Sequence, residues 1–197
     1  MPALANGENG KMSHTLFAGV TESGKTTMAR YFARNFARQG HRIIVYDPVG
    51  TNTAGGGWPE SAVMFDDVDK FMAYCDRPDV YHAHIFVDEA GDHFGVSDKD
   101  NHWLFRRGRH KGFFMYPIAQ RPKMLAPNVR TQCSTAYIFR LAMSDADEIG
   151  ADLGHSKLSN IVSTLDTGDY LMLKSGRPQI ERGNIFQTLN AKPKVSK

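Results

Sequence analysis

Eight consecutive residues, Gly19, Val20, Thr21, Glu22, Ser23, Gly24, Lys25 and Thr26, match the spacing G-x-x-x-x-G-K-[ST] in full. Glycines at the two ends of such a run let the chain curl until successive N–H groups point inward, a cradle for phosphate oxygens. A helix that starts there adds the positive end of its dipole. Lys25 is placed to reach the β- and γ-phosphates of ATP, and the Thr26 hydroxyl to ligate Mg2+. Thr27 packs beside it or meets the α-phosphate. The expected nucleotide-binding set is therefore Gly19, Thr21, Glu22, Ser23, Gly24, Lys25, Thr26 and Thr27. A chance glycine-rich turn would leave the charge of Lys25 at a strand–helix junction unexplained.

A second constellation is the apolar run Ile85, Phe86, Val87 ending in Asp88 and Glu89. A carboxylate at the end of a buried strand holds magnesium through its water shell, so Thr26 and Asp88 form the expected metal pair. Glu89 projects differently and suits a general base that polarises the attacking water; the competing role is a cap on the next turn. Gln120 closes the following apolar run, where strand ends gather at a ligand crevice. Its amide can touch both the γ-phosphate and that water, or simply turn the chain before Pro122. His82, His84 and His93 complete no recognisable metal-ligand set.

The net charge of +3 says little, but its distribution says more. From Leu104 to Arg130 the chain carries Arg106, Arg107, Arg109, Lys111, Arg121, Lys123 and Arg130, with no Asp or Glu. Acidic residues gather elsewhere, as at Asp145, Asp147, Glu148 and Asp152. A one-signed stretch points to an anionic partner, ATP or nucleic-acid phosphate. One of Arg106, Arg107 and Arg109, with Arg109 the first choice, suits an arginine finger reaching a neighbour's site. Such a residue raises phosphoryl-transfer rates roughly 10³- to 10⁵-fold. Arg30, Arg34 and Arg38 recur every four residues and read as a solvated helix face.

These residues need a scaffold of alternating strands and helices. Strands are predicted over 14–20, 41–46, 80–88, 113–119 and 135–141, with helices over 25–39 and 65–74. Loops are expected over 51–59, rich in glycine, and over 91–101, polar and mobile. Segments 170–174 and 179–182 read as a closing β-hairpin. Apolar runs of this kind imply an α/β fold with a central, mostly parallel sheet covered on both faces. The 197 residues accommodate one ATPase domain over 13–190, a flexible leader over 1–12 and a tail over 191–197. No apolar run approaches bilayer length, and the polar N-terminus is no secretory signal. Cys75 and Cys133 read as ordinary buried thiols.

Taken together, the phosphate loop, the strand end Tyr46-Asp47-Pro48, the run from Ile85 to Ala90 and the run from Gly108 to Leu141 with its Gln120-Arg121-Pro122 signature resemble the FtsK/HerA superfamily. Within it the likeness is to small genome-packaging ATPases of internal-membrane icosahedral viruses, and it spans roughly residues 14 to 182. The resemblance implies a RecA-like core of the ASCE P-loop class, assembled as a ring, a hexamer, around double-stranded DNA. It implies Gln120 as γ-phosphate sensor, Arg109 as finger in trans, and 91–101 facing the DNA channel. Catalysis is then expected from Glu89, Lys25, Gln120 and Arg109. The chain length leaves no room for the anchoring or sequence-reading domains of cellular members, which favours a minimal viral motor. Viral capsid or membrane-vertex proteins are then partners, at the virion packaging vertex or in the host cytoplasm. The alternatives are a superfamily ATPase of phage morphogenesis or DNA transfer, and a small-molecule P-loop kinase. A GTP-dependent switch lacks its N-K-x-D signature here.

Overall fold

The computed structural model describes residues 14–50, 57–155 and 158–190. The expected leader, the expected tail and most of the 51–59 loop lie outside the described residues. Among the described residues, eight strands form one sheet: β1 (His14–Ala18), β2 (Arg42–Tyr46), β3 (Val63–Phe65), β4 (Ala83–Val87), β5 (Phe114–Ala119), β6 (Cys133–Ile138), β7 (Asp169–Lys174) and β8 (Glu181–Asn184). Their order across the sheet is β3-β2-β4-β5-β1-β6-β7-β8. The first six pair in parallel, and β7 and β8 join antiparallel at one edge. The helices are α1 (Lys25–Arg38), α2 (Val68–Asp76), α3 (Trp103–Arg106), α4 (Pro127–Arg130), α5 (Met143–Leu153), α6 (Leu158–Val162) and α7 (Ile185–Asn190).

The central strands are apolar throughout because both faces of the sheet are covered. Alternate residues of β1 divide between two clusters: Phe17 packs with Met28, Phe32 and Phe36 of α1, while Leu16 and Ala18 join Phe71, Phe105 and Ile149 on the other face. The α1 face is strongly aromatic. Phe17 stacks on Tyr137, with Phe32 edge-on to both, and Phe86 stacks on Tyr116. This packing lays α1 along its length across β1, β4 and β5.

Several elements differ from expectation. Val63–Phe65 is an edge strand, and α2 starts only after Asp67, whose side chain caps it by accepting from the Lys70 N–H. Three residues are too short to register as a strand pattern. The expected loop over 91–101 is firmly anchored: Phe94 is fully buried, its carbonyl accepts from the Ala126 N–H, and two 3-10 turns flank it. The unpredicted helix α5 buries Ala146, Ile149 and Leu153 along one face.

Candidate active site

The phosphate loop leaves the C-terminal end of β1 and runs into α1. Its entry is fixed by backbone bonds from the Gly19 N–H to Ala119 O at 3.2 Å and from the Val20 N–H to Arg140 O at 2.9 Å. Gly19 is required by space: a Cβ there would sit 2.5 Å from Ser23 Oγ and 2.6 Å from Phe139 Cβ. Gly24 holds φ at 107°, a conformation that L side chains rarely adopt, and begins the helix. Lys25 is nearly buried at the first turn of α1, which has no acidic residue.

Across the cleft stand the ends of β4 and β5. Thr26 Oγ1 donates to Asp88 Oδ2 at 3.4 Å, so the expected metal pair is adjacent. Glu89 follows in the left-handed region at φ 48°, a strained geometry for a non-glycine residue. Its N–H donates to Asp88 Oδ1 at 3.0 Å. Gln120 bridges the two halves: Thr21 Oγ1 donates to Gln120 Oε1 at 3.0 Å, and Gln120 Nε2 donates to Glu89 Oε1 at 2.7 Å. The amide therefore ties the phosphate loop to the carboxylate expected to act as base.

These residues line a cleft of about 390 Å³ together with Glu22, Gly24, Thr27, Arg30, Asp47, Val49 and Phe186. Burial pushes Asp88 up from 3.8 to about 6, and the neighbouring Asp47 and Glu89 push the same way against Lys25 and the Glu89 N–H. A buried carboxylate held reluctant to ionise is poised for a cation. The donor set of Thr26 hydroxyl and Asp88 carboxylate is all oxygen, which suits a small hard ion that keeps several waters. Among the described residues, no group of three or more His, Cys, Asp or Glu side chains is arranged to hold a metal. His84 instead stacks on Phe36 and shares a 2.8 Å hydrogen bond with the Tyr116 hydroxyl, and His93 contacts the Tyr46 hydroxyl.

Four cleft residues, Arg30, Asp47, Val49 and Phe186, escaped the sequence reading. Asp47, at the end of β2, is almost fully buried; it accepts from Trp58 Nε1 at 2.8 Å and pairs with Arg30 at 3.6 Å. The signal was available, because Asp47 ends an apolar strand just as Asp88 does. Phe186 of α7 gave no signal, since nothing local shows that the C-terminal helix folds back onto the phosphate loop.

The cations are sorted differently from the sequence reading. Arg30 does not belong to a solvated face: it is tucked against Asp47 and over the Trp58 ring, and Arg34 donates to Gly57 O. The acidic residues of α5 meet the basic stretch. Arg130 is buried between Glu148 and Asp152, each at 2.6 Å, and Arg121 and Lys123 lie 3.7 and 3.9 Å from Asp145. Lys111 Nζ donates to two backbone carbonyls, Cys75 O and Arg77 O. Arg106, Arg107 and Arg109 stay exposed. Arg109, in contact with Gln132, lies before the N-terminal end of β5, the far end from its own cleft. Cys75 and Cys133 are free and buried, and burial pushes the Cys75 thiol up to about 12.

A family model described as the type IV secretion-system coupling protein DNA-binding domain matches residues 2–71. Among curated proteins, none matches the sequence. Solved structures match well. B204, the DNA-packaging ATPase of Sulfolobus turreted icosahedral virus, superposes with a TM-score of 0.71 at 18% identity, over 87% of this chain and 97% of that one. VirB4 of Thermoanaerobacter pseudethanolicus gives 0.69 at 11% identity, over 96% and 92%. The pCW3 conjugation coupling protein TcpA, solved with ATPγS, gives 0.63 at 19% identity, over 88% of this chain and 60% of that one. The phosphate loop, the acidic strand end, the sheet order and these likenesses agree: the chain has a P-loop α/β fold, shared with the viral DNA-packaging ATPase B204.

Proposed function

We propose that this protein hydrolyses ATP to move double-stranded DNA, working as a genome-packaging motor. The observation that carries the reading is the hydrogen-bonded bridge from Thr21 through Gln120 to Glu89, facing Thr26 and Asp88 across one cleft. It joins a phosphate cradle to a carboxylate base, the arrangement that hydrolysis of a bound nucleotide needs. Gly19, Thr21, Glu22, Ser23, Gly24, Lys25, Thr26 and Thr27 hold the triphosphate, with Lys25 countering its charge. Thr26 and Asp88 hold Mg2+, which when bound neutralises charge on the phosphate oxygens. Glu89 takes the proton of the attacking water, and Gln120 keeps Glu89 aimed while sensing the γ-phosphate through Thr21.

Arg109 completes the site of a neighbouring copy. Its place at the far end of β5 removes it from its own cleft, so its use in catalysis requires a ring, a hexamer in this reading. The exposed Arg106 and Arg107 contact DNA phosphates, without base readout. The fold shared with a viral DNA-packaging ATPase supports packaging as the role, with capsid or membrane-vertex proteins as docking partners and the virion packaging vertex or the host cytoplasm as the place of work. No described helix is long and apolar enough to cross a membrane. A second reading, DNA transfer through a secretion-type channel, is favoured by the coupling-protein match over residues 2–71. Both use the same chemistry.

The test is ATP turnover with and without long duplex DNA, at low and moderate salt, for wild type and Glu89→Gln. The expected result is stimulation by DNA that weakens with salt, and loss of hydrolysis with retained ATP binding in Glu89→Gln. Robust turnover indifferent to DNA at every salt concentration would point to the small-molecule enzyme instead.

A further inference from the structure

The nucleotide's orientation in the cleft is fixed by the sheet order. Asp88 ends β4 and Gln120 follows β5, both on one side of β1. A γ-phosphate facing them sends the α-phosphate and the nucleoside the other way, toward β6, β7 and β8. On that side the cleft is lined by Phe186, an aromatic residue that is 42% exposed.

Phe186 is not loosely hung. Asn184 Oδ1 accepts from its N–H at 3.0 Å and from that of Gln187 at 3.2 Å. One side of the ring rests on Gly168, where an added Cβ would meet ring carbons at 2.4 and 2.6 Å. Gly168 is bound to the phosphate loop, its N–H donating to Ser23 O at 2.9 Å, and its carbonyl accepts from the Ile185 N–H at 2.9 Å. Ile185 is fully buried, and its Cγ2 lies 3.2 Å from the position a Cβ on Gly24 would take. The start of β7 and the start of α7 are thus fastened to the loop that holds the phosphates, and the ring is placed at a set distance from it.

An apolar residue of this size, seated on backbone with its free surface turned into a polar cleft, has the chemistry of a stacking platform. We infer that Phe186 stacks against the base of the bound nucleotide, and that the turn from Asn184 to Phe186 with Gly168 is the base-binding element of this site. The inference rests on the ATP-binding reading above. A phenyl ring offers a π-face and no hydrogen-bond pattern, so it holds any purine and does not read the exocyclic groups that distinguish adenine from guanine.

The test compares binding of ATP, GTP and inorganic tripolyphosphate, each with Mg2+, to the full chain by calorimetry. In Phe186→Ala, affinity for ATP and GTP should fall alike, by about 10- to 100-fold, from the usual contribution of base–aromatic stacking. Tripolyphosphate affinity should stay within about twofold, which also shows that the variant is folded at the phosphate loop. Phe186→Trp should keep ATP affinity, with indole fluorescence quenched by ATP and untouched by tripolyphosphate. If Phe186→Ala binds ATP as wild type does, the platform is wrong and the phosphate site stands. If wild type binds neither ATP nor tripolyphosphate, the nucleotide reading fails, and this inference with it.

Discussion

Asp88 carries an internal conflict that its environment makes measurable. Burial raises its pKa from 3.8 to about 6, so the folded protein holds the proton more tightly than the unfolded chain. The stability this gives is full below about 3.8 and is lost as pH rises through about 6. Above that pH the ionised carboxylate sits beside Asp47 and Glu89, and removing its charge should help the empty protein. Asp88→Asn is therefore expected to raise stability by about 1–3 kcal/mol at pH 7 to 8 and by little near pH 4. Urea unfolding of both proteins without nucleotide across that pH range checks it. The same variant should lose hydrolysis, since a neutral amide is a poor magnesium ligand. In the proposed mechanism Gln120 aims Glu89 rather than supplying charge, so Gln120→Ala should lower kcat by about 10- to 100-fold and leave ATP affinity near the wild-type value. A matching loss of affinity would mean that its bond to Thr21 shapes the phosphate loop instead.

At the scale of elements, two buried histidines tie the sheet together and titrate in the opposite sense. His14 on β1 contacts Phe105 O through Nε2 and accepts from the Met115 N–H at Nδ1, both at 3.1 Å. Burial lowers it to about 4 and lowers His84 to about 3. A depressed histidine favours folding above its ordinary value of 6.5, and that advantage is lost as pH falls toward the folded value. His84→Phe, which keeps the stack on Phe36, should flatten the loss of thermal stability between pH 6.5 and 4 that wild type shows, although it gives up the bond to Tyr116. Much of the element pattern was legible because a parallel sheet covered on both faces writes its strands as apolar runs, and because Gly19 to Thr26 name their own chemistry. Asp88, Glu89 and Gln120 were legible as polar residues ending such runs. Val63–Phe65 was too short to show a period. Asp47 was readable by the rule that found Asp88. Phe186 was not readable, because its place depends on a fold-back of α7 onto Gly24 and Gly168 that no local pattern encodes. The fate of the basic stretch was hidden for the same reason: only the tertiary structure sets Glu148 and Asp152 against Arg130.

The whole molecule has its cleft at the C-terminal end of the parallel strands and the exposed Arg106, Arg107 and Arg109 before the N-terminal end of β5, a polarity suited to head-to-tail assembly. In a ring of that kind each site borrows from its neighbour. Arg109→Ala should bind ATP normally and turn it over about 10³-fold more slowly or worse. Mixing inactive Arg109→Ala with inactive Glu89→Gln should restore part of the activity. At some interfaces an intact Arg109 then meets an intact Glu89. No recovery on mixing would take Arg109 out of the site. Movement of DNA is the central claim, and displacement of a third strand from a triplex on long duplex DNA measures it most directly. With wild type and ATP, the third strand should be released at a rate that rises with ATP concentration, and Glu89→Gln should release none. DNA-stimulated hydrolysis with the third strand left in place would contradict the account: the protein would then be an ATPase that binds DNA without moving it.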